Sequence, residues 1–553
     1  MIDAATGTRW LPGLGILLLA SASSITSLGN GFAYDDNPII AENPKVQGTQ
    51  PPWRFLSQPY WPSDSLRALY RPATLALFDS QWRLGGGSPR VFHTTNVLLY
   101  LAASLAVYWL ALALLPPGPA WISAALFAVH PVHVEAVGNV VGQSELIVGT
   151  ALTVAVALYL RARQRDSIPL GAVAAVTGLY WLAGLVKEHA IVLPALLAGA
   201  ELTVVADRRP FRERIARLVP LAVMLLGSAV GLLAVRTAVL GTFAGDFPHP
   251  ALRHLTFAER GIILLREAPV WLRLLYWPAH LQADYSPLEF DVGPETGAVE
   301  AAGFLLLAGA LALAFVIRRR SPVASFAVFW MAVALLPVSN LLAPTGIIIA
   351  ERALFLASVG AMLLLGALAA MAWPALERGP PLLRAGAVAG VALVLALGAW
   401  RSAGRQRVWK DNETLFAQTV LDAPLSYKAH WSHGGQLFEA GRRDLGEREY
   451  QTAIALYSRD PAVLADLADR YRKAGFCQPA VPLYRKALAL DPEQWSYRTT
   501  LIICLMRLGD VRAARAEALT GIERGPAAEQ FRRIVEYADT VLARGQTPKG
   551  GSP

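Results

Sequence analysis

Long apolar runs alternate with short polar turns through the first 400 residues of this chain. They lie near residues 10–28, 92–115, 120–138, 145–160, 169–186, 189–206, 218–240, 300–317, 323–342, 354–373 and 384–400. About 20 apolar residues carry a helix across a bilayer, so the pattern predicts about eleven spans. Two longer stretches, 29–91 and 241–299, interrupt it. From about residue 427 the pattern changes to a 34-residue repeat. Gly441, Gly475 and Gly509 recur at that spacing, as do Leu437, Tyr471 and Leu505, then Tyr450, Tyr484 and Ala518, and Ala453, Ala487 and Gly521. Pro492 and Pro526 close the second and third units. Small and large residues at fixed offsets let paired antiparallel helices pack, which is the tetratricopeptide pattern. The expected fold is all-α: a polytopic membrane helix bundle over residues 1–404, then a tetratricopeptide solenoid over 405–546 and a disordered tail, 547–553.

Arginine placement orients the spans. Arg161, Arg163 and Arg165, then Arg208, Arg209, Arg212, Arg214 and Arg217, then Arg318–Arg320, and a smaller pair, Arg378 and Arg384, follow alternate spans. All fall on one side if the N-terminus is cytoplasmic, as the positive-inside bias requires. The first span then reads as an uncleaved signal-anchor. Loops 29–91 and 241–299 and everything after Trp400 lie outside. Ala258–Pro278 is apolar enough to be a twelfth span, but Arg260, Arg266 and Arg273 share one helical face, which fits an amphipathic helix in the outer interface.

Composition changes this picture little. The chain is 54% hydrophobic and 16% charged, with a mean hydropathy of +0.40, far from a soluble enzyme. The net charge of +9 reflects arginines in short loops, so the partner it implies is the lipid bilayer and no nucleic acid is expected. The two cysteines, Cys477 and Cys504, have no metal-ligand spacing; a disulfide between them stays open, and the favoured reading is two buried small hydrophobes.

Candidate chemistry gathers on the outer side. Asp35 and Asp36 follow the first span directly; a carboxylate pair can divide base and positioning roles or hold a divalent cation, and Asp-Asp-Asn-Pro is also ordinary turn chemistry. His130, His133 and Glu135 end the third span, and Pro131 disrupts the spacing a zinc helix would use. Ionisable groups at such a boundary more often line a cavity than face lipid, which makes these three and Glu351 candidates for substrate binding. Arg71, Lys187 and Arg352 are cations on the same face, suited to a lipid phosphate. Singly, each reads as interfacial snorkelling.

Several of these motifs together resemble a known family. Tyr34-Asp-Asp, Tyr70-Arg-Pro, Phe127-Ala-Val-His-Pro-Val-His-Val-Glu-Ala, Gly142-Gln-Ser-Glu, Val186-Lys-Glu, Ala283-Asp-Tyr-Ser, Leu336-Pro-Val-Ser-Asn and Ala350-Glu-Arg-Ala-Leu-Phe-Leu-Ala-Ser are similar to the membrane half of the transmembrane, tetratricopeptide-containing O-mannosyltransferases, which are GT-C glycosyltransferases. Gln143 and His189 depart from the family's usual residues. The resemblance implies transfer of mannose or a similar hexose from a polyprenyl-phosphate donor to an acceptor hydroxyl, on the periplasmic or lumenal side and with inversion. The acceptor would be a protein Ser or Thr presented by the tetratricopeptide groove. It gives Asp35 and Asp36 the acidic motif of the first external loop and Glu145 that of the second, with Asp35 taken first as base. Arg352, Lys187 and Arg71 would bind the donor phosphate. No cofactor is certain, and a divalent cation at Asp35 and Asp36 stays open. The alanine- and arginine-rich composition suggests a bacterial member of the inner membrane. The alternatives are a non-catalytic membrane scaffold that recruits envelope proteins through its repeats, and a transporter. The transporter is disfavoured because the ionisable residues sit at one interface and not at mid-membrane.

Overall fold

The computed structural model describes residues 11–62, 69–165, 168–207, 209–242, 248–524 and 528–544. Trp10, Arg208, Pro526 and the predicted disordered tail lie outside the described residues. Those described are helical or irregular, with no strand among them. In chain order the helices are α1 (Leu11–Ser24), α2 (Pro72–Gly85), α3 (Pro89–Leu114), α4 (Pro117–Ala128), α5 (Val134–Gly138), α6 (Gln143–Ala162), α7 (Leu170–Val186), α8 (Leu193–Thr203), α9 (Phe211–Leu240), α10 (Phe257–Tyr276), α11 (Ala298–Ile317), α12 (Pro322–Leu335), α13 (Phe355–Arg378) and α14 (Pro381–Gln406). They continue as α15 (Asn412–Asp422), α16 (Tyr427–Glu439), α17 (Arg443–Leu456), α18 (Pro461–Lys473), α19 (Cys477–Leu490), α20 (Trp495–Arg507), α21 (Val511–Arg524) and α22 (Ala528–Ala543).

Each of the eleven apolar runs coincides with a helix, but their lengths differ. Among the described residues, seven helices are long and apolar enough to cross a membrane. The run 120–138 is instead a pair, α4 and the short helical segment after Pro131, bent by 45°. The runs 169–186 and 323–342 form shorter apolar helices, Leu170–Val186 and Pro322–Val338, and 189–206 is α-helical only over 11 residues. Proline accounts for the broken run, because its ring removes an amide donor and ends the preceding turn. The stretch 258–278 forms α10, opened by a Thr256–Glu259 capping box. It buries Ile263, Trp271, Leu274 and Leu275 and also Arg266, which pairs with Glu300 at the start of α11.

The chain divides into two compact units. The first takes residues 1–285 and 292–418, the second 286–291 and 419–553. In the second, three helix pairs, α16–α17, α18–α19 and α20–α21, follow the repeat period. The glycines that recur at 34 residues occupy the turn inside each pair, at φ of 76°, 87° and 80°. A side chain there would meet the strain of left-handed backbone, which glycine does not. Tyr450, Tyr484 and Ala518, at matching offsets, are all fully buried. In the third repeat Gly521 leaves room for Phe531 of α22: a Cβ at 521 would come within 2.7 Å of that ring. Cys477 and Cys504 are free and buried in this repeat core.

Candidate active site

In the first unit, the polar residues singled out from sequence fall where a helix begins, ends or breaks. Arg71 immediately precedes α2, whose first residue is Pro72. Glu135 lies in α5, just past the 3₁₀ turn Pro131–His133. Glu145 is in the first turn of α6. Lys187 follows α7 in extended conformation and Glu188 opens the 3₁₀ turn Glu188–Val192. Glu351 and Arg352 form the 3₁₀ turn ahead of α13. Helix ends leave backbone groups unpaired, so polar side chains gathered there find partners that a span interior would deny them.

These ends meet in a chain of ion pairs. Arg352 gives Nη2 to Asp35 Oδ2 at 2.9 Å and sets Nη1 3.4 Å from Glu135 Oε1. Its own backbone N–H donates to Glu135 Oε2 at 2.9 Å. Glu145 pairs directly with Lys187 and lies 4.0 Å from His189 Nδ1. Arg71 grips Glu188 with Nε and Nη2, at 3.1 and 2.9 Å, and Arg236 Nη1 reaches the other oxygen of Glu188 at 2.7 Å. Arg352 and Glu145 attract one another across the cluster, and Lys187 feels the charges of both Arg71 and Arg352. The Arg71 guanidinium also lies 5.0 Å over the Tyr60 ring, a cation–π contact. At one end, then, two guanidinium groups share one carboxylate. At the other, one guanidinium serves two.

The two aspartates have different surroundings. Asp36 is fully buried. Its Oδ1 accepts the Val141 N–H at 2.9 Å, and Oδ2 accepts those of Val140 and Ala33 at 3.1 and 3.3 Å. It therefore ties the segment that follows α1 to the 3₁₀ turn Val140–Gly142 ahead of α6. Burial pushes its carboxyl up to about 7, against these three donors, which pull it down. Asp35 keeps its side chain 20% exposed and turns toward Arg352. Between the first span and this pair stands Tyr34, at φ 54°, a left-handed backbone that costs a non-glycine residue about 1–3 kcal/mol. The pair does not converge on one point, since Asp36 faces three N–H donors and Asp35 a guanidinium. It does not fit a shared divalent cation, and no group of three His, Cys, Asp or Glu side chains among the described residues is disposed to hold one.

The other candidates are mostly taken up in holding the helix breaks together. His130 Nε2 lies 2.9 Å from Leu275 O, while its Nδ1 accepts the Val132 N–H at 3.2 Å. His133 bridges the Tyr100 hydroxyl, at 3.0 Å, and Ser358 Oγ, at 2.8 Å. Glu351 accepts the Gln282 N–H at 2.7 Å and the Tyr285 hydroxyl at 2.9 Å, fixing the segment that follows α10. Gln143, a departure from the family pattern, forms a reciprocal amide pair with Gln81. His189, the other departure, sets Nε2 2.7 Å from Ala334 O. Sequence reasoning passed over Arg236. It is the one charged residue in the apolar run 218–240, and a lone charge in such a run is itself a sign of function.

Glu188 offers a test of the cationic end. Burial would raise its carboxyl, but Arg71 and Arg236 outweigh that and hold it down at about 2. The folded value lies below the unfolded 4.5, so its stabilisation is complete above pH 4.5 and is lost as pH falls toward 2. Glu188→Gln is expected to flatten that part of the acid limb in thermal unfolding of detergent-solubilised protein. An unchanged acid limb would show that the ion triad does not form.

No family model matches the chain. Among curated proteins it is similar to protein O-mannosyl-transferase F38B6.6 of Caenorhabditis elegans, 25% identical over 455 residues that cover 80% of this chain and 62% of that one. Human TMTC4 is 25% identical over 483 residues, 77% of this chain and 63% of that protein. The chain thus spans about three fifths of the length of these relatives. Among solved structures, ArnT from Cupriavidus metallidurans, determined with undecaprenyl phosphate bound, aligns over 84% of this chain and 80% of its own, with a TM-score of 0.40 and 14% identity. The similarity extends along about four fifths of the sequence: this chain is similar to the TMTC protein O-mannosyl-transferases.

Proposed function

We propose that this chain is a membrane glycosyltransferase that moves a hexose, mannose or a close analogue, from a polyprenyl-phosphate carrier to a protein Ser or Thr hydroxyl on the extracytoplasmic face. The carrying observation is the polarity of the ion cluster. The partly exposed Asp35 stands at the end where two carboxylates share Arg352. Arg71, Arg236 and Lys187 gather at the other. A base belongs at the first end and a leaving phosphate at the second. The names of the relatives support the reaction class and a protein acceptor.

In this reading Asp35 takes the proton of the acceptor hydroxyl as its oxygen attacks the anomeric carbon. The bond from that carbon to the phosphate oxygen breaks with its electron pair leaving on the phosphate, and one displacement inverts the centre. Phosphate is a good leaving group and needs charge stabilisation more than protonation, which Arg71 and Arg236 supply as forked donors. Glu145 holds Lys187 and offsets the burial that disfavours its ammonium form. Purified protein incubated with radiolabelled polyprenyl-phosphate sugars and an extract of envelope proteins is expected to label protein. No transfer from any donor would overturn the assignment and leave the repeats as a recruiting scaffold.

A further inference from the structure

The loop that carries Asp35 is fastened to a second segment far away in the chain. Thr26 Oγ1 donates to Ala403 O at 2.8 Å, Asn30 Nδ2 to Gln406 O at 2.9 Å and the Gly31 N–H to Lys410 O at 2.7 Å. The Tyr34 N–H donates to Asn412 Oδ1 at 2.7 Å. The two strings advance together, from 26 to 34 and from 403 to 412. Beside them Tyr34 packs edge-on against Phe416, ring centroids 5.9 Å apart. Ala33, Val134, Trp409 and Leu415 form the buried core beneath. Three of the four acceptors are backbone carbonyls, which any residue would supply. The fourth is a side chain, and it meets the residue held in left-handed backbone immediately before Asp35.

We propose that Asn412 is a positioning residue for Asp35. Its amide oxygen holds the Tyr34 N–H, and with it the φ of 54° that sets the direction in which the chain enters residue 35. Asp36 pins the other side of Asp35 through Val140 and Val141. Asp35 is thus suspended between two anchors, one on the 3₁₀ turn ahead of α6 and one at the residue that opens α15. Removing the Asn412 anchor leaves Arg352, Asp36 and the hydrophobic core in place, yet frees the backbone that directs the carboxylate. Reaction geometry is sensitive to such shifts: a displacement of about 1 Å costs on the order of 10² in rate.

The inference rests on the proposed role of Asp35, so its test has one arm that needs no activity. Hydrogen exchange of peptides covering residues 30–37 is read by mass spectrometry in wild type, Asn412→Ala and Asn412→Asp. The Tyr34 amide is expected to exchange at least about tenfold faster in N412A. In N412D, which keeps an oxygen acceptor, it should stay near wild type. In the second arm, N412A is expected to lower kcat for sugar transfer about 10- to 100-fold, with KM for the polyprenyl-phosphate sugar changed less than about threefold, while N412D recovers most of the loss. Asn412→Gln moves the amide out by one methylene and replaces N412A should that variant not fold; it is expected to fall between the two. Unchanged exchange in N412A and N412Q, or a kcat in N412D as low as in N412A, would overturn the anchor. Faster exchange together with a wild type inactive toward every donor would retain the anchor and remove the transferase.

Discussion

Asp35→Asn is expected to reduce sugar transfer by about 10²–10⁴-fold, the usual worth of a positioned base, with the protein accumulating in the membrane at wild-type level. The Asn side chain can still accept from Arg352, whose Nη2 lies 2.9 Å from Asp35, so the loop keeps its place and loses only the proton acceptor. Asp36→Asn separates the two roles. The fully buried Asp36 has both oxygens accepting backbone N–H groups, and an amide turns an NH₂ toward at least one of those donors. An orphaned buried donor costs about 1–3 kcal/mol. The D36N variant is therefore expected to unfold at a lower temperature and to keep, per folded molecule, much of its activity. Transfer assays normalised to folded protein distinguish the two. Full activity in D35N would remove Asp35 from the reaction.

The second large effect belongs to Arg352. Its side chain is only 12% exposed, and its partners Asp35 and Glu135 are 20% and 3% exposed. Removing one member of a buried pair leaves charge without compensation and costs about 3–5 kcal/mol. Arg352→Gln should accordingly lose both stability and transfer. Arg352→Lys keeps a charge but not the fork, so one ammonium cannot hold Asp35 and Glu135 in the same way. It is expected to recover stability more fully than rate. Thermal unfolding and kcat measured on the same preparations decide it. A lysine variant as active as wild type would mean that Arg352 contributes charge alone.

Sequence reasoning reached the helices because apolar length and the 34-residue glycine spacing each have one physical cause. It reached the polar clusters because charges next to apolar runs are few. It could not distinguish Asp35 from Asp36. Neighbouring residues carry the same local signature, and only the fold shows that one points at Val140 and Val141 and the other at Arg352. Nor could it pair Glu145 with Lys187 or Arg71 with Glu188, because each pair closes across other helices. Read as a phosphate ligand from its position, Arg352 sits between two carboxylates. The short helix Leu193–Thr203 was overestimated because hydropathy counts residues in the turn Glu188–Val192 as readily as in a helix.

The fastening of residues 26–34 to 403–412 also sets an order of events in synthesis. Asn30 and Tyr34 leave the ribosome early, yet their partners follow 376 and 378 residues later. Contacts so distant in sequence form after local ones. The loop bearing Asp35 must therefore wait, without its final shape, until every helix through α14 has been made. A nascent or truncated chain would hold most of the bundle and still lack a formed site. On the proposed function, sugar transfer begins only when the bundle is complete.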